Sequence, residues 1–302
     1  MEEKIIIHEV GLRDGLQIEK EIVPFEKKLS WAEKLIESGI DIVQLGSFVN
    51  PVKVPQMADT DKLFKYFNEN PDKKKNVILS GLVLNEKGLE RGIDCGVDLF
   101  CMGVSASETH SQKNTGMSRR DALERIVAMG KKALSLNKQV QVSVQSAFGC
   151  GYEGNVPESV VYDFVKTFVD NGFKMISLAD TAGHADPFKV ERMFTHLSTL
   201  GKDLEFACHF HNTYGLGLTN CYAALKSGVK YFESAFGGLG GCPFTKLSGG
   251  NVSTDDLVHL LQRMSKRKDV LLEKIIELSK EAEEFFKREM ESKIYKTGSI
   301  PS

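Results

Sequence analysis

The apolar positions of the chain gather into eight short, β-branched runs at regular intervals. They are KIIIHEV (4–10), IDIVQLG (40–46), NVILSGLV (76–83), DLFCMGVSA (98–106), QVQVSVQSA (139–147), MISLAD (175–180), EFACHFH (205–211) and YFESAFG (231–237). Runs of this length and composition read as buried strands. Between them, apolar residues recur at helical spacing, as in 24–39, 118–136, 157–172, 187–201 and 216–228. Pro24, Pro157 and Pro187 stand near the helix starts, and Gly39, Gly172, Gly201 and Gly228 follow the ends.

Helices that end in glycine and run straight into the next strand give the rhythm of repeated βα units. Eight of them predict an α/β protein, a (β/α)8 TIM barrel over about residues 4–250 within a single domain spanning 1–302. The competing architecture, a doubly wound open sheet, usually needs fewer strands, and no G-x-G-x-x-G follows the first strand. Extra C-terminal helices are expected over about 253–291, at 254–264 and 270–291. The second is long and amphipathic, suited to the barrel's outside or to a second subunit. The tail, YKTGSIPS, reads as frayed.

Composition narrows the function classes. The chain has 302 residues, 41% hydrophobic and 26% charged, with a formal net charge of −2 and no basic block, which argues against a nucleic-acid partner. No apolar run approaches the roughly 20 residues of a membrane span. The N-terminus, MEEKIIIHEV, resembles neither a signal nor a transit peptide. Six cysteines without a CxxC point to a reducing, cytoplasmic setting.

In a barrel of this kind the active site lies at the C-terminal ends of the strands. The first strand leads into Arg13-Asp14, and the seventh ends in His209-Phe210-His211. Residues two apart on a strand share a face, so the two imidazoles point one way. Beyond the eighth strand come Gly-Gly-Cys242-Pro and Gly-Gly-Asn251. A carboxylate, two imidazoles and an amide oxygen suit a divalent cation, Mg2+ or Mn2+, with Zn2+ the competing choice. Each feature alone is commonly packing or surface; their joint position at strand ends makes them a site.

At these residues the chain resembles the 3-hydroxy-3-methylglutaryl-CoA lyase family, metal-dependent lyases of barrel fold. The matching stretches are EVGLRDGLQIEK (9–20), SFVNPVKVPQM (47–57), GCGYEG (149–154), ISLADT (176–181), HFHNTYG (209–215) and GGCPFTKLSGGNVSTDDLV (240–258). The resemblance implies that Asp14, His209, His211 and Asn251 bind the cation and that Arg13 stabilises a thioester enolate. It also implies that Cys242 moves a proton and that Asp180 and His209 serve the reaction. Gln17, Gln44, Ser47, Gln141 and Ser143 are expected to line the pocket of an acyl-CoA substrate. A homodimer is the expected assembly.

The departures cluster at that pocket. The family usually has a glutamate where this chain reads Gln44-Leu45-Gly46-Ser47-Phe48, and an arginine and tyrosine where it has Gln141 and Ser143. The readings left open are a hydroxymethylglutaryl-CoA lyase with a drifted pocket, a related lyase for another 3-hydroxyacyl-CoA, and a non-catalytic metal-binding scaffold. His8 reads as structural, and His110, Glu108 and His184 as solvated loop residues. Lys246 is a weaker candidate for a CoA phosphate contact.

Overall fold

The computed structural model describes residues 4–241 and 249–300. The eight apolar runs are its eight strands: β1 (Ile6–Glu9), β2 (Ile42–Ser47), β3 (Ile78–Leu82), β4 (Leu99–Ser105), β5 (Gln139–Gln145), β6 (Met175–Asp180), β7 (Glu205–Phe210) and β8 (Tyr231–Ser234). Each pairs in parallel with its neighbours in sequence. β8 returns to β1 with Tyr231 opposite Ile6, which closes the TIM barrel.

Alternation along the strands sorts the side chains. Ile7, Val43, Leu79, Phe100, Val142, Ile176 and Phe232 enter the core beneath the surrounding helices. On the other face, Ile42, Leu82, Leu99 and Cys101 form a separate apolar cluster with Ile6, Ile78, Met175 and Tyr231 packed on it. Two residues further along several strands the interior turns polar, with His8, Gln44, Ser80, Gln141, Ser177 and Glu233 all buried. His8 is structural, as expected. Its Nε2 lies 2.8 Å from Ser80 Oγ, and burial lowers its pKa to about 4.

The ring helices stand where the spacing placed them, at Phe25–Glu37, Arg119–Ser135, Glu158–Asp170, Pro187–Leu197 and Gly217–Lys226. Thr60–Glu69, Glu86–Asp94 and Glu108–Thr115 fill the remaining connections. Gly39 ends the first ring helix at φ +89°, where an added Cβ would sit 3.1 Å from the Asp269 carbonyl.

Two expectations are corrected beyond the barrel. The last long helix spans Leu272–Phe286 and stops where Lys287 turns left-handed at φ 53°. It packs on the barrel's outside through Trp31, whose ring lies 6.0 Å from that of Phe285 and whose indole N–H donates to Glu281 at 3.1 Å. The start of the tail is docked rather than frayed: Tyr295 is buried, and its hydroxyl donates to Glu283 at 3.1 Å. Among the described residues no helix is long and apolar enough to cross a membrane.

Candidate metal centre and acyl cavity

β1 hands the chain to a single wide turn, Gly11–Gly15. The backbone N–H groups of Arg13, Asp14 and Gly15 all point to the Val10 carbonyl, at 3.1, 2.8 and 3.3 Å, and this brings Arg13 and Asp14 to the barrel mouth. Glu9, buried on the outward face of β1, braces the turn. Its carboxylate accepts from the Gly11 N–H at 2.7 Å, the Phe236 N–H at 3.1 Å and the Thr254 hydroxyl, tying the exit of β1 to that of β8. The Arg13 guanidinium is fixed between the Asp14 carboxylate and the Gln44 amide oxygen.

β7 supplies the two imidazoles. Phe210 turns outward and packs against Phe148, ring centroids 5.6 Å apart, so His209 and His211 face inward together. Their Nε2 atoms are 3.1 Å apart, and each lies 3.8 Å from Asp14 Oδ2. The segment after residue 248 returns beside β7, with Asn251 bridged to His211. Asn251 Nδ2 lies 2.9 Å from Asp14 Oδ2, and its Oδ1 is buried with no partner among the described residues.

The electrostatics fit a cation. Burial pushes the Asp14 carboxyl up, but the charges of Arg13, His209 and His211 and the Asn251 bond outweigh it and hold the group well below the usual carboxylate range. Burial, reinforced by His209, lowers His211 to about 4. Burial also opposes charge on His209, yet the bond to Glu233 and the charge of Asp14 raise its pKa. With its Nδ1 facing the Glu233 carboxylate at 3.0 Å, His209 presents Nε2 as a lone pair. The Asp14 carboxylate and the two imidazoles thus converge on one point, a donor set that a divalent ion satisfies, with the Asn251 amide beside it.

Below this cluster lies a cavity of about 210 Å³. Of the residues expected to meet substrate, Gln17, Gln44, Gln141 and Ser143 line it, as do Arg13, Asp14, His209 and His211. Ser47 does not. It is fully buried, and its carbonyl accepts from the Thr60 hydroxyl at 3.2 Å. Asp180 is also outside the lining. It falls on the outward parity of β6, where it accepts the His184 N–H at 2.8 Å and the Ala185 N–H at 3.0 Å. Cys242 and Lys246 lie outside the described residues.

Other residues differ from expectation. His110 is buried and lines the cavity, because Ser107 caps the helix at Glu108 and turns the histidine inward. His184 is half-buried, its ring 5.9 Å from that of Tyr214, whereas Glu108 is exposed. The sequence reading did not single out Glu233, which Gln141, Ser177 and His209 surround. The signal was available in parity, since Tyr231 and Glu233 share the inward face of β8.

The HMGL-like family model matches residues 4–281. A hydroxymethylglutaryl-CoA lyase of Bacillus subtilis is 35% identical over 281 residues, 93% of each chain. A 3-hydroxy-3-isohexenylglutaryl-CoA/hydroxy-methylglutaryl-CoA lyase of Pseudomonas aeruginosa is 35% identical over 258 residues, 85% of each chain. A solved HMG-CoA lyase from Bacillus subtilis superposes with a TM-score of 0.92 at 34% identity, covering 97% of both chains. One from Acinetobacter baumannii, in complex with coenzyme A and 3-methylmalate, gives 0.91 at 33% identity over 99% of this chain and 98% of that one. Matched in sequence and in structure along nearly its whole length, the chain belongs to the HMGL-like family of carbon–carbon lyases.

Proposed function

We propose that the protein is a divalent-metal-dependent lyase that cleaves a 3-hydroxyacyl-CoA between C2 and C3, giving acetyl-CoA and a carbonyl product. The observation that carries this reading is the convergence of the Asp14 carboxylate and two imidazole Nε2 atoms beside the Arg13 guanidinium. Asp14, His209, His211 and the Oδ1 of Asn251 would hold the cation. Two oxygen donors, with room for oxygen ligands from substrate and water, favour Mg2+ or Mn2+ over Zn2+. A divalent cation supplies Lewis-acid charge that lowers the pKa of a hydroxyl beside it.

The chain's own groups match the remaining demands. Once a general base takes the C3 hydroxyl proton, the oxygen's electrons close to a carbonyl and the C2–C3 pair moves into the thioester. The enolate oxygen then needs a positive partner, and Arg13 stands at the cavity edge with its plane fixed by Asp14 and Gln44. One such donor in a dry site is worth roughly 3–4 kcal/mol. C2 must finally take a proton, which the Cys242 thiol can supply. This residue directly follows Gly241, which lines the cavity. Asp180 contributes by holding the 181–185 backbone beside β6 rather than by touching substrate. The coenzyme A and hydroxy diacid bound to the Acinetobacter relative support a thioester as ligand.

The test is acetyl-CoA release from a panel of 3-hydroxyacyl-CoA esters, with Mn2+ present or removed by a chelator. Metal-dependent release from at least one ester is expected. Release from none, or release that survives chelation, overturns the reading.

A further inference from the structure

Along β5 the side chains alternate. Val140, Val142 and Val144 enter the core beneath the helices, while Gln141, Ser143 and Gln145 line the cavity. Gln141 is already engaged, donating to Glu233 at 2.7 Å. Ser143 and Gln145, nearer the rim, are half-buried, and neither side chain has a hydrogen bond among the described residues. Gly103 stands opposite Ser143 on β4, and a Cβ there would lie 2.5 Å from Ser143 Oγ and 3.0 Å from Gln145 Nε2. The missing Cβ lets the hydroxyl and the amide lean over β4 toward one point.

The backbone holds Gln145 in this place. Its carbonyl accepts the Ala106 N–H at 2.9 Å. Ser146, the next residue, turns left-handed at φ 54° and donates its N–H to the Thr181 hydroxyl at 2.9 Å, which ends the strand there. In a closed barrel of eight strands β5 lies across from β1. The β1 side carries Arg13, Asp14 and Gln17, with the Gln44 amide oxygen bound to Arg13, and on the lyase reading the cation and the thioester belong there. The remaining carbon arm of C3 then crosses the cavity and ends against β5. A hydrocarbon end would strand both donors, whereas a carboxylate offers them two oxygens and charge-assisted bonds.

We infer that Gln145, with Ser143 beside it over Gly103, fixes the acyl end of the substrate and selects esters whose acyl end is a carboxylate. The inference rests on the lyase reading for the identity of the ligand, but its test does not need turnover. Glutaryl-CoA and pentanoyl-CoA are of equal length, differ by one terminal carboxylate, and lack the 3-hydroxyl that cleavage requires. Their affinities for the Mn2+-loaded protein are measured by calorimetry.

Glutaryl-CoA is expected to bind about tenfold more tightly than pentanoyl-CoA. In Gln145→Leu, which keeps the volume and removes the amide, the two affinities should come within about twofold of each other. Gln145→Glu sets a like charge against the carboxylate and inverts the preference, and it decides the matter where Gln145→Leu does not fold. Metal affinity should stay unchanged in both, because Gln145 is not among the converging ligands. A preference that survives both variants places the carboxylate elsewhere, on the cation or on His110 and Asn114, which line the cavity from the helix Glu108–Thr115, and overturns the inference. Equal affinities in the unmodified protein also overturn it and leave the lyase reading standing. Binding of neither ester overturns both.

Discussion

The two walls of the cavity follow opposite rules. On the wall built from the exits of β1 and β7, possible metal ligands converge, with Asp14 Oδ2 3.8 Å from each imidazole Nε2 and Asn251 Oδ1 buried without a partner among the described residues. On the wall built from β5, β6 and β8, polar groups answer each other, as Glu233 does with Gln141 and Ser177. The first wall gathers donors that a divalent cation would satisfy; the second pairs its carboxylate internally and leaves Gln141 Oε1 over as a buried acceptor. His209 belongs to both, with Nε2 on the first and Nδ1 on the second.

The largest effect should come from the first wall. His211→Ala removes one converging donor, and metal affinity and kcat are expected to fall by roughly three orders of magnitude. Ser143→Ala, on the second wall of the same cavity, should leave metal affinity unchanged in the same titration. Equal losses in the two variants would erase the distinction between the walls.

Arg13→Lys comes next. Lysine keeps the charge but loses the planar fork that Asp14 and Gln44 hold, so kcat should drop roughly 100-fold. Metal affinity should stay within about threefold, because Arg13 is not among the converging donors. A collapse of metal binding instead would make Arg13 a support of the metal centre and not of the enolate. Glu233→Gln stands between the walls. By removing the charge that fixes the His209 ring it should weaken metal affinity by about tenfold, a loss that calorimetry with Mn2+ reads directly.

How legible each wall was in the sequence follows from how local its signals are. The barrel could be read because short Ile- and Val-rich runs must be covered on both faces, and the metal wall because its pieces sit in compact motifs, Arg13-Asp14 and His209-Phe210-His211. Glu233 has no such motif. Its partners His209, Ser177 and Gln141 lie 24, 56 and 92 residues away, and YFES looks the same whether its acid faces water or the barrel interior. His110 was misjudged for a related reason. Polar neighbours in SETHSQ read as solvated loop, whereas Ser107 starts a helix there and points the ring inward. Asp180 was read from its motif, but strand parity turns it away from the cavity.

The smallest expected effect concerns what holds the walls in register. Glu9 joins the turn that carries Arg13 and Asp14 to the exit of β8, and burial raises its pKa from 4.5 to about 8 against the pull of its Thr254, Gly11 and Phe236 bonds. A carboxyl raised on folding stabilises the protein fully below its unfolded pKa, and that stability drains away as pH climbs through the folded value. Asp255 and Asp180, both raised by burial to about 7, act with the same sign. His8 acts oppositely, since its lowering from 6.5 to about 4 costs stability only as pH falls below about 6.5. Between pH 6.5 and 8 the melting temperature should therefore decline, and Glu9→Gln, which stays neutral throughout, should lessen that decline by roughly 3 °C. A melting temperature that rises over this interval, or a decline of identical slope in the variant, would show that Glu9 is already ionised in the fold and that the two walls are joined by a charged clamp.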